Sequence, residues 1–110
     1  MNSGMTVRPD ICSAKLAVLA DPTRLAVMEY LLKGSGTVKE INEGIRIAQN
    51  LLSHHLKVLR EAKLVVSRRD GKAVRYQLAR GVDTGSSGTG INLGCCSLTF
   101  IKTDSRKKHQ

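Results

Sequence analysis

Two β-rich segments, 65–69 and 72–78, flank the pair Asp70-Gly71, and that pair restricts what this chain can fold into more than any other feature. The favoured two-residue hairpin turn needs positive φ, which Asp and Gly tolerate, so the segments predict a tight antiparallel hairpin. Arg68, Arg69, Lys72 and Arg75 crowd around its tip and make it a basic ribbon. Directly before it, residues 48–62 carry the strongest helical periodicity in the chain. On a wheel, Ala48, Leu51, Leu52, His55, Leu56, Val58 and Leu59 fall on one side, and Asn50, Ser53, His54, Lys57 and Glu61 fall opposite. One face is core, and the other is a row of hydrogen-bonding groups.

Shorter helices precede this pair. Ile11, Ala14, Leu16, Ala17 and Leu19 give a helix from Asp10 that Asp21 and Pro22 must end. Asp21 then serves as N-cap of the next helix and Pro22 as its first residue, where no N–H is needed. Leu25, Met28, Leu31 and Leu32 repeat at three and four up to Gly34. After a Gly34-Ser35-Gly36 turn, Thr37 can cap a third helix carrying Val38, Ile41 and Ile45. Two short helices, the second with a polar face, followed at once by a basic hairpin, are the order of a winged helix-turn-helix. The expected fold is therefore mainly α with a small β-hairpin, a winged helix-turn-helix; its dimeric state is implied only by the resemblance given below. It divides into a flexible arm over 1–9, the DNA-binding domain over 10–79, a Gly/Ser-rich loop over 80–90, a cysteine-bearing strand over 91–101 and a basic disordered tail over 102–110.

A chain of 110 residues holds one core. With no Trp, one Phe and two Tyr, that core is aliphatic. Eighteen Lys plus Arg against nine Asp plus Glu leave a charge of +9, which suits a polyanionic partner, nucleic acid before membrane. No stretch approaches the roughly 18 apolar residues that span a bilayer, and no signal-like N-terminus is present. The location expected is cytoplasmic, with no membrane partner. No nucleophile with a placed base, no paired acid and base and no phosphate-binding loop appears, so neither an enzyme nor an organic cofactor is expected.

Major-groove readout needs donors and acceptors near the start of an inserted helix, and Gln49, Asn50, Ser53 and His54 are such groups. Lys57, Arg68, Arg69, Lys72 and Arg75 would instead neutralise phosphates and set register. A winged-helix module that binds protein and keeps its cysteines structural is the alternative from another class. LADPTRLAVMEYLLKG and NLLSHHLKVLREAKLVVSRRDGKAVRYQLA, with Ser53, His55, Leu56 and Leu59 in a Ser-x-His-Leu-x-x-Leu signature, closely resemble the ArsR/SmtB family of metal-responsive bacterial repressors over residues 12–79. The resemblance implies a homodimer on a two-fold operator in double-stranded DNA, released by an inducer. Lys63 stands where the family usually has Gly, which implies a left-handed residue at a cost of roughly 1 kcal/mol.

The inducer site is not the family's usual one. Arsenic and cadmium sensors often carry Cys-Val-Cys-Asp-Leu before the recognition helix, where this chain has Thr37, Val38, Lys39, Glu40 and Ile41. The Asp, His and Glu ligands of zinc, nickel and cobalt sensors sit on a last helix, and here no His precedes His109 after the wing. Cys12, Cys95 and Cys96 remain. An odd count without an export signal argues for thiolate chemistry over a disulfide framework. Soft thiolates select As(III), Sb(III), Cd, Pb, Hg or Cu(I), and three of them suit pyramidal As(III) better than a four-ligand zinc site. Adjacent strand residues point to opposite faces, so Cys95 and Cys96 meet one ion only if Gly94 kinks the strand. A thiol redox or persulfide sensor of the same fold is the nearest alternative. His54 and His55, consecutive on a helix, do not face one ion.

Overall fold

The computed structural model describes residues 9–84 and 89–101. The expected arm as far as residue 8, loop residues 85–88 and the tail 102–110 lie outside the described residues. Helix α1 (Pro9–Leu19) begins on the proline itself, one residue before the boundary expected from the pattern. Asp21 ends that run and caps α2 (Pro22–Leu32), accepting from the backbone N–H groups of Thr23 at 2.9 Å and Arg24 at 3.0 Å. The Arg24 N–H is the main reason that the Asp21 carboxyl lies below its usual value; the Arg24 charge and the Thr23 N–H act with it, while desolvation opposes them.

The expected turn at Gly34–Gly36 contains a two-residue strand, β1 (Gly36–Thr37), which pairs with the far strand of the wing. Thr37 then caps α3 (Val38–Ile45) reciprocally: its hydroxyl accepts from the Glu40 N–H, and the Glu40 carboxylate accepts from the Thr37 N–H. Helix α4 (Gln49–Glu61) follows a short turn in which Asn42 Oδ1 accepts from the Ile47 N–H. It ends by placing Lys63 at φ +65°, with the Lys63 N–H bonded to Arg60 O and the Leu64 N–H to Leu59 O. This is the left-handed closure that favours glycine, and the chain makes it with a lysine.

Strands β2 (Val65–Asp70) and β3 (Ala73–Leu78) form the hairpin, and the sheet order is β1-β3-β2. The loop is Gly71-Lys72 rather than Asp70-Gly71, because Asp70 pairs with Ala73. Positive φ falls on Gly71 and not on Lys72; a turn with positive φ only at its first loop position needs glycine there, and Asp70 becomes the last rung. The segment expected as a single strand over 91–101 is instead a second hairpin, β4 (Gly90–Asn92) and β5 (Ser97–Thr99), paired antiparallel. Gly94, at φ +89°, reverses it, and Asn92 Oδ1 accepts from the Gly94 N–H.

The core is aliphatic as expected. Val27, Met28 and Leu31 of α2 meet Ile41 of α3, and Leu52, Leu56 and Leu59 of α4, with Leu64, Val65 and Tyr76 of the wing closing one side. Val82, Ile91 and Leu93 are buried in the same cluster, which anchors the C-terminal hairpin on the domain. Leu51, assigned to the core face by periodicity, is 46% exposed. It sits at the edge of the apolar arc, where no neighbouring element covers it.

Replacing Lys63 with Gly relieves the left-handed backbone and raises stability by about 1 kcal/mol in urea unfolding. An unchanged or lower midpoint would contradict the strain. Asp21 has a folded pKa below the ordinary value of 3.8, so its charge-dependent contribution is complete above that value and is lost as pH falls through the lower folded one. Asp21→Asn keeps a capping oxygen without the charge. The stability lead of the wild type over this variant is therefore expected to vanish on acidification below about pH 4, and a lead independent of pH would contradict the assignment.

Candidate DNA interface and thiol cluster

Apart from Ala48 and Leu51, which are exposed, the two faces of α4 separate as its periodicity requires. Gln49, Asn50, Ser53, His54 and Lys57 are exposed, while Leu52, His55, Leu56 and Leu59 are buried. Ala48, at the N-cap position, supplies no side-chain acceptor to the first-turn N–H groups. His55 is 8% exposed, and its Nδ1 lies 3.0 Å from an Arg24 guanidinium nitrogen. Arginine can only donate, so Nδ1 is the acceptor and the imidazole carries its proton on Nε2. The same guanidinium donates through Nε to the Val18 carbonyl at 2.6 Å. One side chain thereby ties the end of α1 to the helix that bears the polar row. Periodicity did not single out Arg24; the available signal was a cation in the first turn of α2, beside the Leu25 and Met28 stripe.

The wing cations divide. Arg68, Arg69 and Lys72 are exposed. Arg75 is half-buried, and its guanidinium bonds Asp70 at 2.8 Å and Glu40 at 3.2 Å, with Ser35 Oγ at 3.4 Å. Its charge is engaged by two carboxylates, and it fastens the wing to the first turn of α3.

Cys12 and the vicinal pair Cys95-Cys96, the first two of these 83 residues apart in sequence, come together within one chain. Cys12 lies in the first turns of α1, and Cys95 and Cys96 lie in the reversal of the β4–β5 hairpin. Cys12 and Cys95 are joined in a disulfide, where the odd cysteine count argued for thiolate chemistry over a disulfide framework and only the redox alternative paired one of the vicinal cysteines with another. Cys96 is free, its Sγ 3.3 Å from that of Cys12 and 4.0 Å from that of Cys95. The physical reason is the turn: with Gly94 reversing the chain, the two sulfurs no longer obey strand alternation and both reach α1. Lys15 Nζ donates to the Leu93 carbonyl at 3.3 Å and holds the reversal against the same helix. All three sulfurs lie within 4.8 Å of one another, a spacing that fits one thiophilic centre when the pair is reduced. The bonded pair and the three-sulfur site are alternative chemical states of one cluster.

Beside Cys12 a groove of about 570 Å³ runs between α1 and the end of α4, lined by Ile11, Ala14, Val18, Val58 and Ala62 among others. Ile11 and Leu16 of α1 are 45% and 38% exposed.

The helices and the start of the wing are similar to those of known proteins. The pattern of the bacterial regulatory protein, arsR family, matches residues 21–67. A probable mercury resistance operon repressor of Streptomyces lividans is 40% identical over 70 residues, 64% of this chain and 56% of the relative. An arsenical resistance operon repressor of Staphylococcus aureus is 34% identical over 70 residues, 64% of this chain and 67% of the relative. The match to the first of these thus spans little more than half of that relative's length. Among solved structures, the homodimeric winged helix-turn-helix DNA-binding domain of a possible ArsR-family regulator from Mycobacterium bovis superposes with a TM-score of 0.57 at 26% identity, covering 71% of this chain and 76% of that one.

Proposed function

We propose a function that starts from an established fact: the chain belongs to the ArsR family of bacterial regulatory proteins. It is a winged helix-turn-helix transcriptional regulator, not an enzyme. On our reading it is a cytoplasmic homodimeric repressor that binds a pseudo-palindromic operator and is released by a thiophilic metalloid, As(III) or Sb(III) before Cd, Pb or Cu(I), at Cys12, Cys95 and Cys96. The observation that carries the inducer is the approach of three sulfurs of one chain to within 4.8 Å of one another. Soft thiolates favour such a centre over harder ions, and a three-coordinate centre needs no fourth ligand. The arsenical and mercury resistance repressors among the relatives support the same class of inducer.

In this reading Gln49, Asn50, Ser53 and His54 face base edges, and Lys57, Arg68, Arg69 and Lys72 face phosphates. The uncapped start of α4 offers backbone N–H groups to a phosphate as well. Arg75, with its charge already shared by Asp70 and Glu40, sets the wing's angle and contributes little to direct neutralisation. The exposed Ile11 and Leu16 suit a second copy of the chain across α1. Metalloid binding links α1 to the C-terminal hairpin, and Val18, Arg24 and His55 carry a change in α1 to the recognition helix. The bonded Cys12–Cys95 pair favours a second reading, in which oxidation or persulfidation of the cluster is itself the signal.

Operator affinity by fluorescence anisotropy, titrated separately with arsenite, cadmium and a persulfide donor, tests these readings. Arsenite is expected to weaken binding by about 5–150-fold, and Cys95→Ser or Cys96→Ser to abolish that response while leaving DNA binding in place. Lys72→Ala weakens all duplexes alike, whereas Ser53→Ala alters preference at particular base pairs. Release by the persulfide donor alone would transfer the function to the redox reading, and indifference to every agent would remove the inducer site.

A further inference from the structure

We infer that the three cysteines form a disulfide relay that gates the inducer site, with Cys96 as the thiol that reopens it. What the gate controls rests on the metalloid reading above; the relay itself rests on the cluster. The oxidised pair, Cys12–Cys95, includes a partly buried sulfur, since Cys95 packs against the core cluster. The remaining thiol, Cys96, is exposed and stands closer to Cys12 than to Cys95, at 3.3 Å against 4.0 Å. A thiolate opens a disulfide by attacking one of its sulfurs, and access decides which sulfur is attacked. Cys12 is the nearer sulfur; Cys96 stands beside the Cys12–Cys95 bond and not in line with it, so the exchange requires its side chain to swing behind Cys12.

The exchange balances within the chain. The Cys96 thiolate attacks Cys12 Sγ, the Cys12–Cys96 bond forms as Cys12–Cys95 breaks, and the electron pair leaves on Cys95 as thiolate. No net oxidation occurs, but the disulfide moves from a pair with a covered sulfur to one with an exposed sulfur. A dithiol from solution then attacks Cys96 Sγ and expels the Cys12 thiolate. The second thiol of that dithiol displaces Cys96 from the mixed disulfide, so the dithiol is oxidised by two electrons and the protein regains three thiols. In the opposite direction a hydroperoxide transfers one oxygen to the Cys12 thiolate and leaves as alkoxide; the Cys95 thiolate displaces hydroxide from the resulting sulfenic acid. While either disulfide stands, only one of the three sulfurs is available as a thiolate, and a soft trivalent centre loses two of its ligands. The oxidised dimer therefore ignores the metalloid and stays on its operator until a dithiol reaches Cys96.

The test uses the full chain, reduced with a phosphine and desalted or oxidised with one equivalent of hydrogen peroxide. Arsenic retained after incubation with arsenite and a second desalting is measured by elemental analysis. Reduced protein is expected to retain it and oxidised protein to retain none. Reduction of the oxidised protein by dithiothreitol is then followed by mass for the wild type and for Cys96→Ala. Loss of the relay thiol is expected to slow reduction by about tenfold or more. Oxidised Cys95→Ser is expected to carry a Cys12–Cys96 link, mapped on its peptides. Equal reduction rates, or a Cys95–Cys96 link in place of either Cys12 pair, would overturn the relay. Full arsenic uptake by the oxidised protein would overturn the gate. If reduced protein takes up no arsenite while the reduction rates still separate, the metalloid reading falls and the relay stands.

Discussion

The guanidinium of Arg24 is where the parts of this molecule meet. Its backbone N–H helps to fix Asp21 as the cap of α2, its Nε closes the carbonyl end of α1 at Val18, and its terminal nitrogen reaches His55 in the helix that bears the polar row. A partly buried cation of this kind must have its donors satisfied, because an unmet charged donor away from water costs more than the bond contributes when made. The two guanidinium contacts are therefore mutually dependent. With Leu52, Leu56 and Leu59 buried beneath it, α4 can present Gln49, Asn50, Ser53 and His54 only in the direction that this clamp allows. Arg75 performs a similar task for the wing, joining Asp70 of the hairpin to Glu40, itself half of the capping box of α3. Two arginines thus hold helices and ribbon together at fixed angles.

The C-terminal hairpin adds a second connection to α1. Ile91 and Leu93 are buried in the domain core, while the reversal after them carries Cys95 and Cys96 to Cys12. Any chemistry that changes the bonding among these sulfurs acts on the helix whose last carbonyls Arg24 holds. The contact series from sulfur to recognition helix is short: Cys12 and Val18 share α1, Val18 meets Arg24, and Arg24 meets His55. A spatial series does not by itself measure coupling, but it identifies the bonds that a coupling measurement must perturb.

Much of this architecture was legible in the sequence because its signals are local. Asp21-Pro22 marks a helix boundary through an acceptor and a missing N–H, and the 48–62 periodicity separates a core face from a polar one; the positive φ at Lys63 was implied only by the resemblance to a family that usually has glycine there. Three features were not legible, each because long-range pairing decided it. The strand at Gly36–Thr37 exists only because β3 lies beside it. The register that puts Asp70 in the ladder depends on which loop residue takes positive φ. The hairpin at 90–99 depends on Ile91 finding the core before Gly94 turns the chain. The wheel counted Leu51 among core residues because it records angle and not what covers the angle. For the candidate site, the residue types were readable, but the partners of Arg75 and the approach of Cys12 to Cys96 required the fold.

The central claim is that the sulfur cluster and the DNA-binding face are energetically linked through α1. Linkage between two binding sites is reciprocal, so the factor by which arsenite weakens the operator must equal the factor by which the operator weakens arsenite. The most direct measurement is that pair of affinities on reduced protein, repeated with His55→Gln to disturb the Arg24 contact. The account predicts two equal factors in the wild type and a smaller shared factor in the variant, with arsenite still bound in the absence of DNA. Arsenite binding that leaves operator affinity unchanged in the wild type would contradict it.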